Sequence, residues 1–352
     1  MVLNLVRQFS AQGVAVDLLL IRASGPHLHD LPPEVKIVSL KAKHTLTSIP
    51  ELVRYFRNNQ PAQMLVAKDR AGRAALIAKK LSGAKTRIVI RLGTNLSRAL
   101  QQKSPISRWL RLAPMKKIYP LADAVVAVSE GVRQDILKIT GIAESRVHVI
   151  RNPVITAEMM IQSDSIPEHA WLSLARSAED VPLIMAAGRL SYQKGFDILI
   201  RAFAELVKQR PARLIVLGEG AERERLSGLA KQLDVDSLVD FPGFQADIYS
   251  WLAQAQLFVL SSRWEGSPNV LTEALALGVP SVATRCPSGP DEVLQNGEFG
   301  ELVEVDDWQA LSKAMLNTLS RPKSKQVLQQ AVSEYRDSVS AERYLSLLMD
   351  KC

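Results

Sequence analysis

Four side chains in the second half of the sequence have the types and spacing to hold a charged sugar or nucleotide. Arg189 and Lys194 lie in GRLSYQKGFDILI (188–200), where the apolar run PLIMAAG (182–188) gives way to a helical pattern. A guanidinium is a planar fork and an ammonium a point charge, a combination that suits a diphosphate. Two surface cations in a loop would leave the same trace. Glu265 and Glu273 lie in WEGSPNVLTEALALG (264–278). A carboxylate accepts two hydrogen bonds side by side, which suits the vicinal diol of a ribose or hexose. Glu265 could instead cap the helix, and Glu273 could sit on its exposed face. Yet Glu273 belongs to an otherwise apolar helix, LTEALALG, where a carboxylate needs a polar partner.

Backbone groups surround these side chains. Gly266, Ser267, Pro268, Asn269 and Val270 open the helix that contains Glu273. Free N–H groups there carry the positive end of the helix dipole and suit an anionic phosphate. Gly278 closes that helix. Gly188 and Gly218 each follow a strand-like run, where glycine permits close approach of backbone to ligand. VLGEGAERERL (216–226) lacks the full GxGxxG pattern, so no dinucleotide site is expected. DFPGF (240–244) ends at Phe244 and could touch a base or ribose; a plain turn is the simpler account of it.

These residues need a scaffold, and the hydrophobic pattern supplies one. Apolar runs at 15–22, 35–40, 63–67, 86–92, 123–129 and 147–153 read as strands covered on both faces. Helical patterns fall between them at 47–59, 71–82 and 130–140. A second series has strands at 182–188, 212–218, 238–243, 255–262, 279–284 and 300–305, with helices at 195–208, 221–232, 246–253, 269–277 and 307–319. The alternation predicts an α/β chain of two Rossmann-like domains facing across a cleft. The expected divisions are 1–153, a connection over 154–180, 181–335, and a last helix over 336–352 whose apolar positions allow it to pack back on the first domain. The chain starts within a helical pattern rather than with a strand. The expectation is that an N-terminal strand is missing and that the natural protein begins upstream.

The 352 residues include 47% hydrophobic and 23% charged residues, an ordinary globular balance. Only Cys286 and Cys352 are cysteines, so no disulfide framework is implied and a reducing compartment is expected. No run of about 18 apolar residues occurs, and no signal peptide is expected. The net charge of +8 is unevenly spread: residues 1–150 carry 24 Lys and Arg against 9 Asp and Glu, and the remainder 20 against 27. A basic first half suggests an anionic partner, although a solvated basic surface would also produce it. No nucleic-acid recognition motif is present.

Arg189, Lys194 and the Glu265–Glu273 pair, in this order and context, make the chain resemble the retaining glycosyltransferases of family 4, with the GT-B fold. AVSEGVRQDI (127–136), VHVIRNPV (147–154) and ALALGVPSVAT (274–284) are also similar to that family, so the resemblance covers essentially the whole chain. It implies that Arg189 and Lys194 bind the donor diphosphate and that Glu265 contacts the donor sugar. Glu273 would hold the nucleotide ribose, and the backbone from Gly266 to Val270 the distal phosphate. It implies transfer of a hexose or N-acetylhexosamine from a nucleotide sugar, with UDP the commonest donor nucleotide, no metal and no cofactor. The acceptor would be a lipid-linked oligosaccharide or cell-surface polysaccharide. Many relatives carry a histidine after the strand equivalent to IVIRL; here Gly93, Thr94 and Asn95 stand on the acceptor side instead. Proton handling is then left to the donor phosphate. Alternatives are a GT-B sugar-nucleotide epimerase, a soluble sucrose-type synthase, and a truncated or non-catalytic sugar-nucleotide binder.

The basic half gains a meaning in that light. Residues 97–120 hold Arg98, Lys103, Arg108, Arg111, Lys116 and Lys117 with no acid, interleaved with Trp109 and aliphatic residues. Such a segment suits an anionic membrane interface, and a peripheral position on the inner face of the cytoplasmic membrane is expected. An ordinary basic surface is the other account. Pro105, Pro114 and Pro120 argue against one long helix here. His27-x-His29 is too sparse for a metal pair, and Cys286 reads as structural.

Overall fold

The computed structural model describes residues 1–21, 28–101, 103–174 and 181–350. The chain divides into two compact units, residues 1–154 with 334–352, and residues 155–333. Both are built from parallel strands and helices. Residues 155–174 belong to the second unit and carry two short helices, Ala157–Gln162 and Ala170–Leu174.

The first unit has strands β1 (Asp17–Leu20), β2 (Lys36–Ser39), β3 (Gln63–Val66), β4 (Arg87–Leu92), β5 (Ala124–Ala127) and β6 (Val147–Val149). The pattern predicts one doubly wound sheet, but among the described residues there are two: β1 pairs with β2, while β3, β4, β5 and β6 form a separate sheet in that order. Strand burial follows hydrogen bonding. β5, flanked on both sides, is buried throughout, whereas β1 and β3, each with one edge unpaired among the described strands, keep partly exposed residues. The last helix, Asp337–Met349, buries Tyr344, Leu345, Leu347 and Leu348 with Leu5 and Phe9 of the first helix, Val2–Ala11.

Residues 97–120 are not one helix, as the prolines lead one to expect: Leu96–Ala99 and Pro105–Ile118 are separate helices, and the second stops before Pro120. Pro114 alone departs from the expectation, lying inside the second helix without breaking it. Pro105 occupies the first helical turn, where its missing N–H is no loss, and Ser104 accepts a hydrogen bond from Ser107 N at 3.3 Å as the cap. Pro114 leaves the Leu110 carbonyl without its helical donor, but Leu110 lies on an exposed turn where water can reach it.

The second unit has strands β7 (Leu183–Ala187), β8 (Arg213–Leu217), β9 (Val239–Gly243), β10 (Leu257–Leu260), β11 (Ser281–Thr284) and β12 (Glu301–Val303). They form one parallel sheet in the order β12-β11-β10-β7-β8-β9. Strands β7, β10 and β11 are wholly buried. The helix Phe196–Leu206 covers one face. It buries Phe196, Leu199, Ile200 and Phe203 at helical spacing and packs beside the helix Trp308–Ser320. Burying a side chain of that size contributes about 2 kcal/mol, so truncating Phe203 to alanine would cost about 3 to 5 kcal/mol.

Candidate active site

Sheet order decides where a ligand can sit in the second unit. From β7 the chain moves outward to β8 and β9, then returns to place β10 on the other side of β7. The turns leaving β7 and β10 therefore diverge, and a crevice opens at the carboxyl ends of these two strands. The turn after β7 carries Gly188, Arg189 and Lys194; the loop after β10 carries Glu265 and leads into the helix Asn269–Ala276. Residues distant in sequence thus reach one place because of a strand crossover.

Two glycines make the close approach possible. Gly195 has φ +61°, and a Cβ there would stand 2.1 Å from the Ser261 carbonyl oxygen. Gly188 has φ +153°, and its Cβ would stand 2.9 Å from Lys194 Cε, so the lysine stem lies where a side chain would be. The Lys194 ammonium then donates to Glu265 Oε1 at 2.6 Å, and Ser262 Oγ donates to the same oxygen at 2.7 Å. Glu265 is only 7% exposed, so these partners are what permit an ionised carboxylate there.

A cavity of about 300 Å³ is lined by Ala187, Gly188, Lys194, Ile248, Glu265, Ser267, Asn269, Val270 and Glu273. Its polar side chains are one ammonium, two carboxylates, the Ser267 hydroxyl and the Asn269 amide, beside the opening of a helix, in a volume suited to a small polar ligand. Ser267 Oγ is buried without a hydrogen-bond partner. Glu273 faces the cavity from inside the helix, and burial pushes its carboxyl up to about 7. Cys286 lies behind this wall; burial first, and then the charge of Glu265, push its thiol up to about 12, as befits an inert packed cysteine. A larger hollow of about 550 Å³ opens at the amino ends of β11 and β12, lined by Ser281, Glu301 and Arg321 among others. It contains none of the candidate residues, so the smaller cavity is the one with chemistry.

The other expected donor-site residues are distributed around it. Gly266 and Pro268 are buried in the loop behind the wall. Gly218 has φ +129° and packs on the Gly188 carbonyl, supporting the turn from the side. Arg189 is exposed, does not line the cavity and has no ion-pair partner among the described residues. Phe244 is 70% exposed at the end of β9 and also lies outside the lining. Ile248 and Ala187 do line it, and nothing in their sequence context marked them out. Sequence context marks out neither Ser262 nor Arg263. Serine and arginine in a loop carry no signal until the fold shows what they touch.

In the first unit, Gly93 and Thr94 are exposed beyond β4, while Asn95 is buried and its Oδ1 accepts from Arg98 N at 3.1 Å, capping the helix Leu96–Ala99. Arg98, Lys103, Arg108, Lys116 and Lys117 are exposed and Arg111 is half-buried. Trp109 is 67% exposed. His27 lies outside the described residues. No helix among the described residues is long and apolar enough to cross a membrane.

The comparisons with known proteins agree with this architecture. Residues 1–158 match the family model Glycosyltransferase Family 4, and residues 174–335 match Glycosyl transferases group 1. The chain is 30% identical over 255 residues to the N-acetylgalactosamine-N,N'-diacetylbacillosaminyl-diphospho-undecaprenol 4-alpha-N-acetylgalactosaminyltransferase of Campylobacter jejuni, covering 72% of this chain and 66% of that protein. It is 34% identical over 177 residues to a lipopolysaccharide core biosynthesis glycosyltransferase of Rhizobium meliloti, covering 49% of this chain and 51% of that protein. The matches thus span between half and two thirds of these curated relatives. In fold it is similar to the crystal structure of Anabaena HepE in complex with UDP, with a TM-score of 0.74, 20% identity, and coverage of 98% and 93% of the two chains. Two α/β units with parallel sheets, a switch-point cavity holding Lys194, Glu265 and Glu273, and family models matching both units lead to one assignment: the chain belongs to the GT-B glycosyltransferases of group 1, family 4 type.

Proposed function

We propose that the second unit binds a nucleotide sugar, with UDP as the nucleotide, and that the protein transfers its hexose or N-acetylhexosamine to a lipid-linked oligosaccharide or cell-surface polysaccharide. The observation that carries the reading is the convergence of Lys194, Glu265 and Glu273 on one cavity beside a helix start. Lys194 spends one of its three N–H donors on Glu265 and keeps two for a diphosphate. Arg189, exposed at the start of the same turn, adds a second cation for the diphosphate. Glu273 takes the ribose hydroxyls, Glu265 the donor sugar, and the N–H groups between Gly266 and Val270 the distal phosphate.

Transfer proceeds with retention. The bond from the anomeric carbon to the diphosphate oxygen breaks, and the acceptor oxygen bonds to that carbon on the same face. The hydroxyl proton passes to the departing phosphate oxygen. The developing charge meets Lys194, Arg189 and the helix start, which do the work a metal ion would otherwise do. Gly93, Thr94 and Asn95 stand on the acceptor side.

The acceptor's lipid calls for a membrane surface, and the helix Pro105–Ile118 suits one. Ile106, Trp109 and Leu110, spaced to share one helical face, are 74%, 67% and 61% exposed. They are flanked by Arg98, Lys103, Arg108, Arg111, Lys116 and Lys117, which match anionic headgroups at the inner face of the cytoplasmic membrane.

The experiment is a thermal-shift panel with UDP, GDP, ADP and CMP, with and without EDTA. The reading expects UDP to stabilise the protein equally in both conditions, by about 2.7 kcal/mol at 100 times its dissociation constant. No shift with any nucleotide would sink it, and a shift abolished by EDTA would overturn the metal-free part.

A further inference from the structure

Arg263 touches neither the cavity nor any group assigned a role above, yet every nitrogen of its side chain is engaged. Nη1 and Nη2 donate to the two carboxylate oxygens of Asp197, both at 3.0 Å. Nη1 also donates to the Tyr192 carbonyl at 2.8 Å, and Nε donates to Asp306 Oδ1 at 2.9 Å. The guanidinium lies 4.1 Å from the centre of the Tyr192 ring. Its side chain is only 11% exposed and the contacts to Asp197 are part-buried, while those to Asp306 and the Tyr192 carbonyl lie toward solvent.

The partners explain the arrangement. Tyr192 belongs to the turn that ends in Lys194, and Arg263 precedes Glu265 by two residues in the other loop. Three more hydrogen bonds join the same two loops: Arg263 N donates to the Gln193 carbonyl at 2.7 Å, Gln193 Nε2 to the Trp264 carbonyl at 2.8 Å, and Ser261 Oγ to the Lys194 carbonyl at 3.0 Å. Asp197, in the first turn of the helix Phe196–Leu206, anchors the whole to a buried element.

We propose that Arg263 is a positioning residue that locks the Lys194 turn and the Glu265 loop into one rigid body, so that the ammonium is set against the carboxylate before any ligand arrives. The proposal rests on the donor-site reading of Lys194 and Glu265. A planar fork is required: a lysine at 263 keeps the charge but cannot span both oxygens of Asp197 while reaching Asp306 and Tyr192.

The test uses Arg263→Gln, Arg263→Lys and Asp197→Asn in the full chain. The first readout is the rate at which an amine-acetylating reagent labels Lys194, followed by peptide mass spectrometry. All three variants are expected to label several-fold faster than the unaltered protein, and the Arg263→Gln/Asp197→Asn double variant no faster than the single ones. The second readout separates turnover from binding. kcat for transfer from a UDP-sugar falls about 100-fold, as expected for a misplaced reacting group, while UDP affinity, which keeps the Glu273 contact and loses only part of the Lys194 one, falls by less than about tenfold. Unchanged Lys194 labelling in a folded Arg263→Gln protein would overturn the proposal, as would a loss of UDP affinity as large as the loss of kcat. Should Arg263→Gln not fold, Asp197→Asn, which leaves the contacts to Tyr192 and Asp306, answers the same two questions. If UDP fails to bind the unaltered protein, the donor-site reading falls, and the labelling rates still decide whether Arg263 holds Lys194.

Discussion

Glu265 Oε1 lies 2.6 Å from Lys194 Nζ, although 71 residues separate the two in sequence. The pair sits at the wall of a cavity rather than on open surface, with side chains 8% and 18% exposed. It therefore has two consequences, one for stability and one for chemistry, and they can be pulled apart. Lys194→Ala leaves a buried carboxylate without its counter-charge, which costs about 3 kcal/mol or more of stability. It also removes the cation that we propose faces the leaving diphosphate, so kcat is expected to fall about 100-fold to 1000-fold. Adding Glu265→Gln should recover most of the stability and none of the activity. Denaturant unfolding beside initial rates checks both; recovery of activity in the double variant would contradict the role given to Lys194.

Glu273 provides a pH dependence whose sign is fixed. Its carboxyl is raised to about 7, and it must be ionised to accept two ribose hydroxyls. The ionised fraction grows from about one tenth at pH 6 to about nine tenths at pH 8, so UDP affinity through this contact rises about tenfold over that interval. Comparing the protein with Glu273→Gln removes the nucleotide's own titration. Stability runs the other way. Below pH 7 the folded carboxyl takes up a proton more readily than the unfolded one, so its contribution to stability falls as pH rises from 4.5 to 7. Glu273→Gln should flatten both slopes; an unchanged affinity profile would remove Glu273 from the ribose site.

Gly195 tests whether the two loops must touch. Its φ of +61° disfavours any side chain, and a Cβ would stand 2.1 Å from the Ser261 carbonyl oxygen. Gly195→Ala is expected to destabilise the protein by about 2 kcal/mol or more and to lower transfer with it. Gly141→Ala, at φ +66° with nothing within 4 Å of its Cβ, carries only the backbone strain and should cost about 1 kcal/mol. Equal effects of the two would show that the contact between the loops is not what constrains Gly195.

The membrane reading is tested by cosedimentation with vesicles rich in an anionic phospholipid. Trp109→Ser removes one large exposed apolar side chain and should weaken vesicle binding by about tenfold or more. Raising salt should weaken what remains, since exposed cations are screened. Failure of the unaltered protein to sediment with anionic vesicles at low salt would dispose of this surface role.

Much of this was legible in sequence, for reasons tied to particular residues. The twelve described strands coincide with short apolar runs, and for β5, β7, β10 and β11 the cause is burial on both faces. Lys194, Glu265 and Glu273 stood out because charged residues beside glycines at strand ends, or inside an apolar helix, have few structural uses. What could not be read was pairing. No local pattern says that β1 and β2 form their own sheet, or that Arg263 meets Asp197 and Asp306; such contacts depend on crossovers between strands distant in sequence. The tolerance of Pro114 inside the helix Pro105–Ile118 is a different matter. Proline bounds this helix at Pro105 and Pro120, but sequence does not say that Leu110 lies on an exposed turn, where water offsets the hydrogen bond that Pro114 removes.

The most direct test of the central claim is a calorimetric titration of UDP at pH 8 into the unaltered protein and into Glu273→Ala. The claim that the cavity of Lys194, Glu265 and Glu273 is the nucleotide site predicts one bound UDP per chain, with affinity reduced about tenfold to 100-fold in the variant. Binding of UDP with equal affinity to both proteins would place the nucleotide elsewhere and contradict the account.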